Sequence, residues 1–255
     1  MLRVVEQLIM AMSTPIKALA PINPARPPQN GFPASHGAAA AGFEMLYADD
    51  SLLVLNKPAG LLSVPGKGED KQDCLSARVQ RHYPDALVVH RLDMATSGLL
   101  LMARSRAVQR SLSQAFAARL VHKRYEAVVQ GCLTLLLQAG GGWNLIALPI
   151  ALDWPRRPLR VIDGLLGKPS VTRWRVHSYN KAADTSRLQL EPVTGRSHQL
   201  RVHLQALGHP ILGDTLYAPL PVQARSARLL LHACALHLAH PVSGALLQFE
   251  SATPF

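Results

Sequence analysis

The sequence predicts an α+β fold built on a mainly antiparallel mixed sheet with flanking helices. Short runs of alternating or continuously apolar residues outnumber helical stretches. The connections between them include both tight polar turns and helix-length segments, which suits hairpins mixed with crossovers. No internal repeat is visible, and 255 residues at 48% hydrophobic composition suffice for a core that needs no metal or disulfide.

Residues Met1–Gly42 read as a flexible tail. Pro15, Pro21, Pro24, Pro27, Pro28 and Pro33 punctuate it, and it closes on the low-complexity run Ala38–Ala41. Glu6 and Gln7 interrupt the apolar stretch after Arg3, which argues against a secretory signal. A start at Met10, Met12 or Met45 is an alternative. Residues 43–255 form the predicted folded domain. Glu44–Tyr47 and Leu52–Leu55 read as strands around the turn Ala48–Ser51, and Leu75–Tyr83 as a helix with Leu75, Val79 and Tyr83 on one face. Leu87–His90 and Leu99–Met102 read as strands bracketing the polar loop Arg91–Gly98. Ser105 caps a helix reaching about Ala118, with Val108, Leu112, Ala115 and Phe116 in one stripe. Further strands are expected at Tyr125–Val129, Val171–Tyr179, Arg187–Val193, Leu229–Leu238 and Leu246–Glu250, and a helix at Gln199–Leu207 closed by Gly208. Leu133–Trp143 reads as an insertion, and Gly140–Gly142, Pro155–Pro158 and Gly164–Lys168 as loops or turns.

Lys and Arg number 27 against 16 Asp and Glu, a formal charge of +11, and the pI is about 10.1. That is the electrostatic footprint of a nucleic-acid binder. Of the 27 cations 20 are Arg, whose planar fork pairs with phosphate and stacks on bases. The longest apolar stretches, around Leu133–Leu137 and Leu229–Leu231, are too short to cross a bilayer. Cys74, Cys132 and Cys234 are widely separated and lack a paired spacing, so they read as reduced residues of a cytoplasmic protein. His198 with His203, and His232 with His237, share an H-x4-H spacing, but no Cys or Glu accompanies them at a zinc-like spacing, and no metal is expected.

The densest cluster of chemistry-bearing residues is His90-Arg91-Leu92-Asp93-Met94-Ala95-Thr96-Ser97-Gly98, followed by a leucine strand. An acid between a strand end and a small-residue loop is how catalytic groups are mounted on rigid sheets. The alternative is that Asp93 caps its turn, accepting from the Thr96 or Ser97 amide. The order His-Arg-Leu-Asp is not the kinase catalytic loop, and neither the following Asn nor an Asp-Phe-Gly is present. A second cluster runs from Pro192 to His203, where a turn delivers Arg196 and Ser197 to a helix start that favours an anion. There Arg201 and His203 can equally be polar-face residues. Lys123-Arg124-Tyr125 stands at a strand entrance, with Tyr125 either a core aromatic or a face for a base.

Val89–Leu101 resembles the signature of the RluA family of pseudouridine synthases, and the likeness continues in family order through Leu55–Leu61, Lys123–Tyr125, Leu148–Ile150, Gly167–Pro169, Thr194–His203, Gly208–Asp214 and Leu229–Ala233. Asp153-Trp154-Pro155, Arg157-Pro158 and Met94-Ala95 resemble one branch of it, the dual-specificity enzymes that modify a tRNA anticodon stem-loop and a 23S rRNA stem-loop. The resemblance implies the pseudouridine synthase fold with a central catalytic cleft and without an S4 domain. It implies an RNA isomerase acting as a cytoplasmic monomer without cofactor or metal. Asp93 would be the catalytic carboxylate, acting at C1′ as nucleophile or at C2′ as base. Arg196 would pair with it, Tyr125 would stack on the uracil and help remove its C5 proton, and Leu231 would pack on the other side. Arg91 would enter the RNA stack in place of the extruded nucleotide, with His232 and Arg201 also expected to bind substrate. Two rivals carry the same charge: a non-catalytic RNA-binding or ribosome-assembly factor, and a glycosidic-bond hydrolase. The hydrolase needs a second carboxylate, for which Glu191 and Asp214 are the candidates by motif.

Overall fold

The computed structural model describes residues 43–133 and 142–255. The tail Met1–Gly42 and most of the Leu133–Trp143 insertion lie outside those residues.

The chain opens with the hairpin β1 (Glu44–Ala48) and β2 (Leu52–Lys57). Asp49 closes its turn, accepting from the amides of Ser51 at 2.7 Å and Leu52 at 2.8 Å. A helix α1 (Leu75–Gln80) and the two-residue strand β3 (Leu87–Val88) lead to β4 (Ser97–Ala103), in which every residue is buried. The leucine run is covered on both faces. Leu100 and Met102 pack with Leu53, Leu55 and α1, whereas Leu99 and Leu101 face Leu52, Val54 and the helix α2 (Arg106–Ala117). Ser105 caps α2 as expected, its hydroxyl accepting from Val108 N at 3.2 Å.

Next come β5 (His122–Gln130), β6 (Asn144–Ala147), the short hairpin strands β7 (Ile150–Leu152) and β8 (Arg160–Ile162), β9 (Val171–Asn180) and β10 (Thr185–Pro192). The helices α3 (Gln199–Ala206) and α4 (Leu220–Gln223) precede β11 (Leu231–Ala239) and β12 (Leu246–Glu250). Ten strands form one sheet along the path β1-β2-β4-β11-β5-β10-β9-β6, with β12 and β3 alongside β11 and β4, and β7-β8 stands apart. This is the mixed α+β sheet expected. Its parallel pairing, β4 with β11, joins Ser97 to His232 and Gly98 to Ala233 at the middle. Gly98 adopts φ +111°, and a Cβ there would come within 2.3–2.6 Å of the Ala233 backbone, so the two central strands meet only over glycine.

β6, β7 and β8 were not expected from sequence; at three or four residues each they are too short for an alternation to register. The helix predicted to Tyr83 ends at Gln80, and the strand predicted to His90 ends at Val88.

Candidate active site

Asp93 sits in the loop between β3 and β4, and its neighbours are clamped on both sides. Ser63 Oγ accepts from Leu92 N at 3.1 Å and donates to Leu92 O at 2.7 Å. The Lys57 ammonium, at the end of β2 and fully buried, donates to the carbonyls of Met94 at 3.0 Å, Leu61 at 2.7 Å and Pro58 at 2.8 Å. Gly60 N also donates to Met94 O at 2.9 Å. Burial depresses the Lys57 pKa to about 8, with the Asp93 charge opposing that shift. Neither Lys57 nor Ser63 was singled out in the sequence. A lysine at a strand end reads as exposed, because Lys is almost never fully buried unless paired.

The turn after Asp93 is closed by backbone, Thr96 N donating to Asp93 O at 3.1 Å. Capping by the carboxylate is thereby superseded. Among the described residues the Asp93 side chain accepts no hydrogen bond, and 24% of it is exposed. A guanidinium and an imidazole face it: Arg201 Nη1 lies 3.8 Å from one oxygen and His198 Nε2 3.9 Å from the other.

Arg201, not Arg196, is therefore the arginine at Asp93. Arg196 is exposed and makes no ion pair among the described residues; its amide donates to Gln199 Oε1 at 3.1 Å, which holds it in the surface turn ahead of α3. Arg201 lies within α3, on a run from Gln199 to Leu204 that is buried throughout. Gln199 fixes the start of that helix, donating to Val171 O at 2.9 Å and to Thr172 Oγ1 at 3.0 Å. Arg201 itself is gripped by Asp214, Nε to Oδ2 at 2.8 Å and Nη2 to Oδ1 at 2.5 Å. Burial works against this cation, but the Asp214 hydrogen bonds and charge prevail and raise its pKa.

His198 caps α3 in a left-handed conformation, φ +57°, a strained choice for a residue with a Cβ and one that concentrates at functional sites. Its Nδ1 lies 2.6 Å from the Tyr217 hydroxyl, which accepts from Arg160 N at 3.0 Å. The bond to Tyr217 fixes the ring with Nδ1 turned away and Nε2 toward Asp93. Burial lowers the His198 pKa and keeps the ring neutral at neutral pH.

Tyr125 lies on β5 where the two halves of the core meet. Burial, then the Asp93 charge, pushes its phenol well above the ordinary value. Leu231 packs in the same cluster with Tyr125 and Ala95. Arg91 projects outward beside the buried Leu92. His232 departs from expectation: it is 1% exposed, its Nδ1 2.8 Å from Ser97 Oγ and its Nε2 3.0 Å from Ser251 Oγ, and burial lowers its pKa to about 4. Strand alternation sends it to the opposite face from Leu231, where it ties β4 to β11 and is closed to substrate.

Both candidate second carboxylates are occupied. Glu191 pairs with Arg124 at 3.3 Å and Arg173 at 2.9 Å, and Asp214 holds Arg201. Neither Glu191 nor Asp214 is therefore free to serve a hydrolase as its second acid. Among the described residues no three His, Cys, Asp or Glu side chains converge as metal ligands, and Cys74, Cys132 and Cys234 form no disulfide.

Asp93, Arg201 and Tyr125 thus bring a carboxylate without a hydrogen-bond donor, a buried guanidinium and a buried aromatic ring together on a mixed sheet. The chain belongs to the RNA pseudouridylate synthase family, whose model matches residues 51–206. It is 46% identical over 211 residues to the dual-specificity RNA pseudouridine synthase RluA of Escherichia coli (strain K12), covering 83% of this chain and 93% of that protein. The Vibrio vulnificus (strain CMCP6) protein of the same name is 46% identical over 203 residues, covering 78% and 79%. Among solved structures, human RNA pseudouridylate synthase domain containing 1 superposes with a TM-score of 0.68 at 29% identity, covering 87% of each chain. The protein is an RNA isomerase that converts uridine to pseudouridine. No helix among the described residues is long and apolar enough to cross a membrane.

Proposed function

We propose that the chain isomerises uridines in a tRNA anticodon stem-loop and a 23S rRNA stem-loop, with Asp93 as the catalytic carboxylate. The observation that carries this reading is the state of Asp93, which has pinned neighbours on both sides, no hydrogen bond to its own carboxylate, and Arg201 and His198 just beyond contact. The two RNA classes are supported by the relatives' dual specificity and by the branch-like residues Asp153-Trp154-Pro155, Arg157-Pro158 and Met94-Ala95.

The target nucleotide leaves its helix and Arg91, exposed at the rim, fills the vacated stack. Arg201, held by Asp214, faces the Asp93 carboxylate and aims it at the ribose. The carboxylate then either bonds to C1′ or removes the C2′ proton to give a glycal, and in both routes the C1′–N1 electron pair leaves with uracil. The base turns on the Tyr125 face, with Leu231 opposite. C5 then bonds to C1′ as the Asp93–C1′ ester bond breaks or, in the glycal route, as Asp93 returns the proton to C2′. C5 loses its proton and the detached N1 gains one, so the product is an isomer of the substrate and Asp93 is regenerated as carboxylate. As a neutral phenol Tyr125 offers a face and a donor, and it takes up a proton only after giving one up. The catalytic unit is a cytoplasmic monomer comprising residues 43–255.

Tritium release from RNA carrying [5-³H]uridine tests the reading, with wild type and Asp93→Ala compared on both stem-loops. Release by wild type and none by the variant is expected. A tight wild-type complex with neither RNA turned over would establish an RNA-binding factor instead. Deuterium at C2′ separates the two routes, slowing only the one through a glycal.

A further inference from the structure

The β7–β8 hairpin takes no part in the reaction as described, yet it is wired to it. Its base is bridged by Ile150 and Lys168, each amide donating to the other's carbonyl at 2.9–3.0 Å. Leu148 O, just before β7, lies 3.0 Å from His203 Nε2 on α3, and Arg160 N, at the start of β8 opposite Leu152, donates to the Tyr217 hydroxyl beside His198. The hairpin is thus anchored to the helix and tyrosine that serve Asp93.

Its tip is preformed. Asp153, 9% exposed, accepts from Arg156 N at 3.3 Å and Arg156 Nε at 2.7 Å, and Asp153 N donates to Leu159 O at 3.1 Å. On this turn Trp154 is 65% exposed, with the Arg157 guanidinium 4.8 Å from its ring centre. An indole left largely in water with a cation on its ring is a stacking platform of the kind that holds splayed bases. The segment from Asp153 to Arg160 carries three arginines against one aspartate, so its charge suits a polyanion. Where the turn meets β8, Arg160 Nη1 is buried and has no acceptor among the described residues. A buried donor so placed is costly unless something else supplies the acceptor.

We propose that this hairpin is an RNA-binding arm that holds the substrate strand beside the extruded nucleotide, Arg160 taking a backbone phosphate and Trp154 with Arg157 stacking a neighbouring loop base. The assignment rests on the RNA isomerase reading and adds to it a second contact, one that grips nucleotides the chemistry does not touch. Because the Arg160 amide donates to the hydroxyl that meets His198 Nδ1, strand capture at the arm is joined by hydrogen bonds to the group beside Asp93.

The test measures turnover and binding separately on the full chain. Trp154→Ala raises KM for an anticodon stem-loop roughly tenfold, with a much smaller change in kcat. Arg160→Gln lowers the slope of log KM against log salt by about one, and Arg160→Lys restores it, as a phosphate contact requires. Leu246→Ser, on the far edge strand β12, leaves KM and salt slope at wild-type values. In a Trp143→Phe background, RNA quenches Trp154 fluorescence to saturation at concentrations matching KM. If wild type turns RNA over while KM, salt slope and fluorescence ignore these substitutions, the arm is overturned and the isomerase stands. If wild type turns over no RNA, the substrate reading falls and the quenching and its salt dependence alone decide whether the arm binds RNA.

Discussion

Two carboxylates flank one guanidinium, and they are held in opposite ways. Asp214 is 1% exposed and saturated: Arg201 supplies two donors, and the amides of Leu216 and Tyr217 two more at 3.0 and 3.2 Å. Asp93 is partly open, accepts no hydrogen bond among the described residues, and stands 3.8 Å from the same arginine. The contrast separates scaffold from reagent. Asp214 uses its lone pairs to fix Arg201, while the fold pins the backbone around Asp93 and leaves its oxygens without a donor among the described residues, as the proposed attack on the sugar requires.

The most damaging way to test this division is Asp93→Asn, which should lower kcat by at least about 10³-fold while the thermal midpoint moves by about 2 °C or less. Asp214→Asn should do the reverse in order of severity. It strips the buried Arg201 of its counter-charge and costs about 3 kcal/mol or more, read as a lower denaturation midpoint, with activity falling as Arg201 loses its aim.

Acid should weaken the scaffold around both. His90 is depressed to about 3 and His232 to about 4 by burial, and His198 and His203 are lowered for the same first reason. Between those values and the unfolded value of about 6.5 the unfolded chain binds more protons, so stability rises with pH across that window and is lost as pH falls through it. A thermal midpoint roughly 10 °C lower at pH 5 than at pH 7 is expected in calorimetry.

Tyr217 touches both acids, its amide on Asp214 and its hydroxyl on His198. Tyr217→Phe keeps the first contact and removes the second, so kcat should drop about tenfold with little loss of stability, and the acid limb of the pH–rate profile should shift as His198 Nδ1 loses its partner. The smallest effect is expected at the surface. Arg196→Ala should change kcat by less than about threefold, whereas Arg201→Lys, unable to keep both acids in place, should cost more than about tenfold.

Much of the fold was legible because the leucine strand, the Ser105 cap and the polar loop at Asp93 each follow a local rule. Asp93, Tyr125, Leu231 and Arg91 were singled out by their motifs, and the roles given to them belong to the proposed function. The choice between Arg196 and Arg201 was not. Both stand at a helix start, and only the tertiary contact with Asp214 decides which turns inward; α3, buried along six consecutive residues, shows no polar face to read. His232 lost its expected place for a similar reason, since period-two alternation says which residues share a face but not which face meets the cleft. The clamps at Lys57 and Ser63 are long-range and leave no local signature.

The union of β4 with β11 pairs residues 135 positions apart, Ser97 with His232. Closing so large a loop is entropically slow and is rewarded only once both strands are already in place. The strand that carries Leu231 therefore docks late in folding, and a partly folded chain already displaying its arginines would hold RNA before it could alter it. A lag between the onset of RNA binding and the onset of turnover during refolding is the kinetic mark of that order.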